Sequence, residues 1–209
     1  QAAGPDTGTQ ANLRSIWNGG MTFPVEYSLV QKEGVYLLRQ TPAATENLSA
    51  STVLEVSGES VQAGENILSG LSGNTLRIRA TVQTQADRFG FRVFVGEDEY
   101  TEVGFDAALG YYLDRRNTAS GGTVISNYAD LYATGINAYV AKDGEYTFDI
   151  LLDRGSLEMF CEDHTQAFYA NTYAGYYSDG LEFFVERTEG ATVTHTVQEI
   201  GSEYREDAA

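Results

Sequence analysis

Two carboxylates, Asp153 and Glu158, stand on either side of one short turn, and Arg154 follows the first of them. Carboxyl pairs are the equipment of glycoside hydrolysis, where they face each other roughly 5 Å apart across the scissile bond. Here they lie five positions apart in sequence, with no sign of a deep cleft or of surroundings that would raise a pKa. Bond cleavage by this pair is therefore not expected. Polar recognition is a better use of such residues. Asp114-Arg115 and Asp153-Arg154 each close an apolar run. A carboxylate beside a guanidinium offers directional hydrogen bonds to neighbouring hydroxyls, which suits a sugar. The structural alternative makes both pairs ion pairs that tie strand ends together, and it is the favoured reading of the two.

Aromatic residues add to the sugar-binding case. The chain holds 14 Tyr, and Tyr111, Tyr112, Tyr128, Tyr132, Tyr139, Tyr173, Tyr176 and Tyr177 cluster in or near loops. A sugar stacks its C–H face on such a ring, and the phenol adds a hydrogen bond. The alternative has these rings packing strand ends with their hydroxyls in water. Glu97-Asp98-Glu99 suggests calcium chemistry at first sight. Consecutive side chains on a hairpin tip point opposite ways, so the run reads as a solvated edge. His164 and His195 are far apart and have no Cys or second His nearby, which argues against zinc. No phosphate loop and no Gly-x-Ser-x-Gly occurs, and no cofactor is implied.

The elements that would position these residues are strands. Tyr146, Phe148, Ile150 and Leu152 alternate with more polar positions, and Leu157, Met159 and Cys161 resume the alternation after Asp153-Arg154-Gly155-Ser156. Gly155 is the turn residue expected to take positive φ. Leu76, Ile78, Ala80 and Val82 form another one-face-in strand, and Phe89, Phe91, Val93 and Val95 the next. Met21 to Leu29 and Val35 to Gln40 read as a hairpin about Lys32-Glu-Gly34. Thr52 to Ser57, Ser60 to Ala63, Tyr100 to Asp106, Tyr111 to Arg115, Gln166 to Thr172, Leu181 to Val185 and Thr192 to Ile200 complete the series. Residues 116–141 are the least regular, and Tyr128, Leu131, Tyr132 and Ile136 fit a helical turn or an extended loop. Many short strands without helical periodicity predict an all-β fold, an antiparallel sandwich. Composition leaves jelly-roll, lectin-like and immunoglobulin-like topologies open.

Four segments carry a family resemblance. Leu151 to Phe160 resembles the "V-D-R-S-S-V-E-V-F" signature in the C-terminal sandwich of family-32 glycoside hydrolases, the invertases, inulinases and levanases. Val103 to Arg115 is similar to that domain's "G-F … L-D-R" strand pair. Trp17 to Leu29 resembles "W-R-G-A-M-T-x-P-R-E-L-S-L", where the chain leaves the catalytic propeller. Asn171-Thr-Tyr173 resembles the "T-N-T-Y-F" of yeast-type members. The segments stand in the family's order, from about Trp17 to the last strand. The resemblance selects a two-sheet, concanavalin-like jelly roll, and it makes Glu158 a candidate for a fixed polar role. The family's catalytic half carries three acidic motifs, a nucleophile Asp in W-M-N-D-P-N-G, an Asp in R-D-P and an acid/base Glu in Glu-Cys. This sequence has no Asp-Pro and no Glu-Cys; Cys161-Glu162 is the reverse order.

The resemblance thus implies a non-catalytic accessory sandwich of a secreted fructan- or sucrose-cleaving β-fructosidase. It would pack against the catalytic propeller, bind fructan, or both; a stand-alone levan- or inulin-binding module is the alternative. The carbohydrate-contacting candidates are Tyr111, Tyr112, Asp114, Arg115, Asp153, Arg154, Glu158 and Tyr173. Residues 1–16 read as a flexible lead-in or linker, 17–201 as the sandwich and 202–209 as a tail. A homo-oligomer stays open. A net charge of −17 argues against nucleic acid and anionic membranes, and no apolar run approaches the roughly 18 residues of a spanning helix. The acidity fits an extracellular or saline medium. The lone Cys161 lies on the apolar side of its strand and reads as a buried, inert thiol. Asn47-Leu-Ser49 is a glycosylation sequon that has meaning only in a eukaryotic secreted protein.

Overall fold

A computed structural model of the chain describes residues 21–43, 45, 48, 50–118, 131–135, 144–172, 174–175, 177–186 and 190–200. Every named element among them is a strand: β1 (Val25–Lys32), β2 (Val35–Pro42), β3 (Ala50–Val61), β4 (Thr75–Thr84), β5 (Arg88–Val95), β6 (Thr101–Asp106), β7 (Gly110–Asp114), β8 (Leu131–Ala133), β9 (Glu145–Asp153), β10 (Ser156–Cys161), β11 (Gln166–Asn171), β12 (Gly180–Val185) and β13 (Ala191–Ile200). They form a six-stranded sheet ordered β11-β10-β9-β4-β13-β3, a five-stranded sheet ordered β12-β5-β6-β7-β8, and the separate hairpin β1-β2. All pairings are antiparallel.

The two larger sheets face each other, and the alternation in the sequence makes that possible. Leu76, Ile78, Ala80 and Val82 of β4, Phe148, Ile150 and Leu152 of β9, and Leu157, Met159 and Cys161 of β10 turn inward from the six-stranded sheet. Phe89, Phe91, Val103, Phe105, Tyr111, Leu113 and Phe183 meet them from the five-stranded sheet. Phe148 is the hinge of this contact, with ring centroids 5.5 Å from Tyr111 and 5.6 Å from Phe91, both edge-on. Burying a side chain of this size stabilises the fold by about 1.5–3 kcal/mol. A bulge thickens the core at one end. Phe94 takes φ 53, and the β12–β5 register shifts between Gly180 and Glu182, so that Val93 and Phe94 are both buried. Where β5 and β6 cross at Gly90 and Gly104, the backbones lie too close for any side chain: a Cβ on Gly104 would sit 2.3 Å from Phe89 O.

The outer face of the six-stranded sheet is also covered. Leu151, Phe160 and Ile200 are buried there beneath Phe23, Val25 and Leu48, with Ala167 and Tyr169 alongside. The chain that leads into β1 is therefore a second, smaller layer.

Four local expectations are corrected. Thr52 to Ser57 and Ser60 onward belong to one continuous strand, β3 (Ala50–Val61), since β13 pairs along its whole length through two register shifts. Leu131, Tyr132 and Ala133 form β8, because β7 offers them its open edge. In the β9–β10 turn the left-handed residue is Arg154, φ 51, rather than Gly155; its amide donates to Asn74 O at 2.6 Å. Glu99 does not join a solvated edge. Its carboxylate is buried, accepting from Gly175 N at 2.7 Å and from the Ser178 hydroxyl, so it ties Gly175 and Ser178 to the β5–β6 turn.

Candidate functional site

Glu158 is the signature residue with the clearest task. β10 alternation turns Leu157 and Met159 into the core and leaves Glu158 and Phe160 on the sheet's outer side. There Glu158 is only 3% exposed. Its Oε1 accepts the backbone N–H of Phe23 at 2.7 Å, while Oε2 is buried without a hydrogen-bond partner. Burial pushes its carboxyl pKa up, against the pull of the Phe23 amide. The same burial, helped by the nearby Glu158 charge, pushes the Tyr169 phenol up to about 12. Glu158 thus fastens the incoming chain to the sandwich.

The turn after β10 gathers further attachments of the hairpin, beside the Tyr169 hydroxyl that donates to Gln40 Oε1 at 3.2 Å. Lys32 Nζ donates to Glu162 O at 3.3 Å, Arg39 Nε to Asp163 O at 3.2 Å, and Gln40 N to His164 O at 2.9 Å. Arg39 also pairs with the Asp163 carboxylate. Beneath the turn, Asp149 receives Arg77 through two bonds, 2.9 and 2.7 Å, and His164 Nε2 stands 3.4 Å away. Burial alone would raise the Asp149 pKa; Arg77 and His164 hold it below the usual carboxylate range.

A second polar assembly covers the outer face of the five-stranded sheet. Arg88 and Arg92 lie on that face because Phe89, Phe91 and Val93 turn inward. Glu102, 2% exposed, accepts both guanidinium groups, Arg92 Nε at 2.9 Å, and also the Tyr112 hydroxyl at 2.7 Å. Arg88 continues to Glu186 at 2.9 Å and Arg92 to Glu182 at 3.2 Å. The Arg92 guanidinium also lies 4.8 Å from the ring centres of Phe184 and Tyr100. Beside this assembly lies an open groove of about 550 Å³, lined by residues 63–66 together with Arg92, Glu182, Phe184 and Glu186. Asn66 shapes it. Its amide donates to Leu181 O at 3.3 Å and accepts from Phe183 N at 3.1 Å, so one side chain stands in for a neighbouring strand along the edge of β12.

The seven candidate residues that are described are not brought to one place. Tyr111 and Tyr112 are 0% and 1% exposed, so their ring faces are used in packing and present no stacking surface. Burial raises both phenol pKa values. Asp114 pairs with Arg116 at 2.6 Å rather than with its neighbour Arg115, and Arg116 holds its pKa low against burial. Arg115 reaches instead to Asn171 O at 2.6 Å and to the Tyr132 hydroxyl at 3.2 Å, with its guanidinium 5.6 Å from the Tyr132 ring centre. Asp153 and Arg154 lie exposed on the β9–β10 turn. Glu158 is on the opposite side of the six-stranded sheet from the core. Tyr173 lies outside the described residues, as do Trp17, Asn47, Tyr128, Tyr139 and Tyr176. Arg88, Arg92, Glu102 and Glu182 were not among the candidates, although their even spacing opposite the Phe positions marks them as outer-face residues. Cys161 is buried, and burial raises its thiol pKa well above the ordinary value.

Comparison with known proteins follows the same lines. The chain is 28% identical over 200 residues to a levanase of Bacillus sp. (strain L7), a match covering 92% of this chain and 21% of that protein. A levanase of Bacillus subtilis (strain 168) is 28% identical over 178 residues, covering 81% of this chain and 25% of the relative. The chain thus spans about a fifth to a quarter of these relatives' length. Among solved structures, exo-inulinase from Aspergillus awamori superposes with a TM-score of 0.77 at 18% identity, over 89% of this chain and 37% of that one. A fructofuranosidase from Schwanniomyces occidentalis in complex with fructose gives 0.69 at 14% identity, over 87% and 40%. At these identities the superpositions establish the sandwich fold. The sequence profile described as "Glycosyl hydrolases family 32 C terminal" matches residues 35–199. The chain belongs to that family, the C-terminal β-sandwich of the family 32 glycosyl hydrolases.

Proposed function

We propose that this chain is the accessory sandwich of an exported β-fructosidase, an enzyme that cleaves fructan or sucrose, and that its task is to support a catalytic β-propeller. The observation that carries the reading is Glu158. Its buried carboxylate grips the Phe23 amide, so the sandwich is built to receive a chain arriving at its outer face. Membership of a C-terminal family and the relatives' greater length fit a domain that works beside another. The sequence itself carries none of the family's three acidic motifs. The test is fructose release from sucrose, levan and inulin. The purified chain should release none, and the same chain joined to the domain encoded ahead of it should release it. Hydrolysis by the chain alone would overturn the reading.

A second reading, a fructan-holding module, is favoured by the groove beside β12. Arg92, Glu182 and Glu186 line it with directional hydrogen-bonding groups. A furanose offers little stacking area, so polar groups would carry its recognition. Calorimetric titration with levan, inulin and fructose decides it: saturable heat that is lost in Arg92→Ala supports the module, and no heat at millimolar ligand removes it.

A further inference from the structure

Glu158 is a buried carboxyl group with no cation set against it among the described residues. Directly opposed residues of an antiparallel pair share a face, so Leu151 of β9 and Tyr169 of β11 flank it on the outer side of the six-stranded sheet. The Tyr169 phenol, whose pKa is pushed up to about 12, is neutral and donates to Gln40. Arg77 of β4 stands opposite Leu151, and its guanidinium is held by Asp149, with His164 alongside. Asp153 and Arg154, at the end of β9, are exposed, as are Glu26 and Tyr27 on the hairpin. Lys32 and Arg39 are bound to the 162–163 turn. β13 and the segment before β3 contribute the apolar Ile200 and Leu48. Among the described residues the Phe23 amide is thus the one donor to Glu158, at Oε1, and Oε2 is buried without a partner.

The cover over this carboxyl is thin at one point. Phe23 packs there beside Val25 against Leu151, Phe160 and Ile200. Met21 and Thr22 ahead of it are exposed. Behind it, Pro24 O accepts from Ala43 N at 2.7 Å, and the turn after β10 holds Lys32, Arg39 and Gln40. Residues 21–23 can therefore lift without unpairing the hairpin. A protonated carboxyl is tolerated beneath such a cover, whereas an ionised one without a cation is costly until water reaches it.

We propose that Phe23 is a proton-operated latch over Glu158, closed while that carboxyl is protonated and lifting, with Met21 and Thr22, when it ionises, while the hairpin stays docked. The latch goes beyond the accessory-domain reading and does not depend on it. Its sign follows from linkage. Burial raises the carboxyl pKa in the closed form, and opening returns it toward the ordinary value of about 4.3, so the closed form binds the proton more tightly. Closure is strongest below about pH 4.3, weakens by at most about tenfold per pH unit above it, and levels off once pH passes the closed-form pKa.

Amide hydrogen exchange by NMR tests the latch, each rate taken relative to an unstructured peptide at the same pH. Protection of the Phe23 amide should fall between pH 4 and pH 7, while that of the Gln40 amide, which donates to His164 O, stays constant. In Glu158→Gln the Phe23 protection should not change with pH. Equal protection of Phe23 at both pH values in the parent would overturn the latch. A matching fall at Gln40 would overturn it in favour of undocking of the whole hairpin, and a fall that persists in Glu158→Gln would remove Glu158 as the trigger. In Phe23→Ala the titration midpoint of the Glu158 carboxyl should move down toward about 4.3. An unmoved midpoint would overturn Phe23 as the cover.

Discussion

The Tyr111 hydroxyl, on the inner face of the five-stranded sheet, donates to the carboxylate of Glu162 in the turn that ends β10. That turn holds three consecutive left-handed residues, Glu162, Asp163 and His164, at φ 51, 56 and 64. Such a conformation costs a non-glycine residue on the order of 1–2 kcal/mol. It persists because all three sheets hold it: Tyr111 from one, Asp149 beneath His164 from another, and Lys32, Arg39 and Gln40 from the hairpin. Tyr111→Phe removes one donor from a buried carboxylate and should cost about 1–3 kcal/mol in urea-induced unfolding. A change below a few tenths would show that the bond contributes nothing to the turn.

Glu158 should make stability depend on pH in a sense opposite to most carboxylates. Its folded pKa is raised by burial, so the folded state binds the proton more tightly than the unfolded chain. The contribution is complete below about pH 4.3, the ordinary carboxyl value, and is lost as pH rises through the folded pKa. Glu158→Gln keeps an acceptor for Phe23 N and has no charge to bury. Its stability relative to the parent should therefore improve between pH 4 and pH 7. Glu158→Ala leaves the Phe23 amide without its partner and should lose about 1–3 kcal/mol at pH 4, a deficit that narrows toward pH 7 as the parent's buried carboxyl ionises. Urea denaturation of the three proteins across that range checks both.

His195 acts in a different window. It is 1% exposed on β13, both ring nitrogens lack partners, and burial lowers its pKa although Glu59 pulls the other way. The unfolded chain takes up the proton first as pH falls below about 6.5, so stability should drop there and level once the folded histidine also protonates. His195→Leu removes the buried polar atoms. The drop just below pH 6.5 should vanish in its thermal unfolding profile, and an unchanged profile would exclude His195 as the source.

Asn66 is expected to govern the edge of β12. Asn66→Ala abolishes its bonds to Leu181 O, Phe183 N and Leu68 N and should destabilise the fold by about 1–3 kcal/mol. Hydrogen exchange should quicken at Phe183 and Leu68 before it does at β9.

These residues mark what could be read from sequence. The inward alternation of β4, β9 and β10 was legible because a half-buried strand has period two whatever lies across from it. The signature around Glu158 was legible as a family feature, and its outward direction followed from Met159. What Glu158 touches was not, since Phe23 is 135 positions away. Tyr111 and Tyr112 were legible as the start of a strand near a loop; their burial comes from Phe148 in the facing sheet and from Glu102 on the neighbouring strand β6. Glu99 looked solvated because its neighbours in sequence are acidic, and only the fold brings Gly175 and Ser178 to it. Local spacing reports which face a side chain occupies, while partners are set by contacts of long sequence separation.

For the proposed accessory role, the most direct measurement is the thermal half-life of fructan-hydrolysing activity in a polypeptide that joins this chain to the domain encoded ahead of it, with and without this sandwich. Removal of the sandwich should leave a hydrolytic domain that precipitates or loses activity within a small fraction of the original half-life. A catalytic domain that stays soluble and equally long-lived without it would contradict the supporting role assigned to this chain.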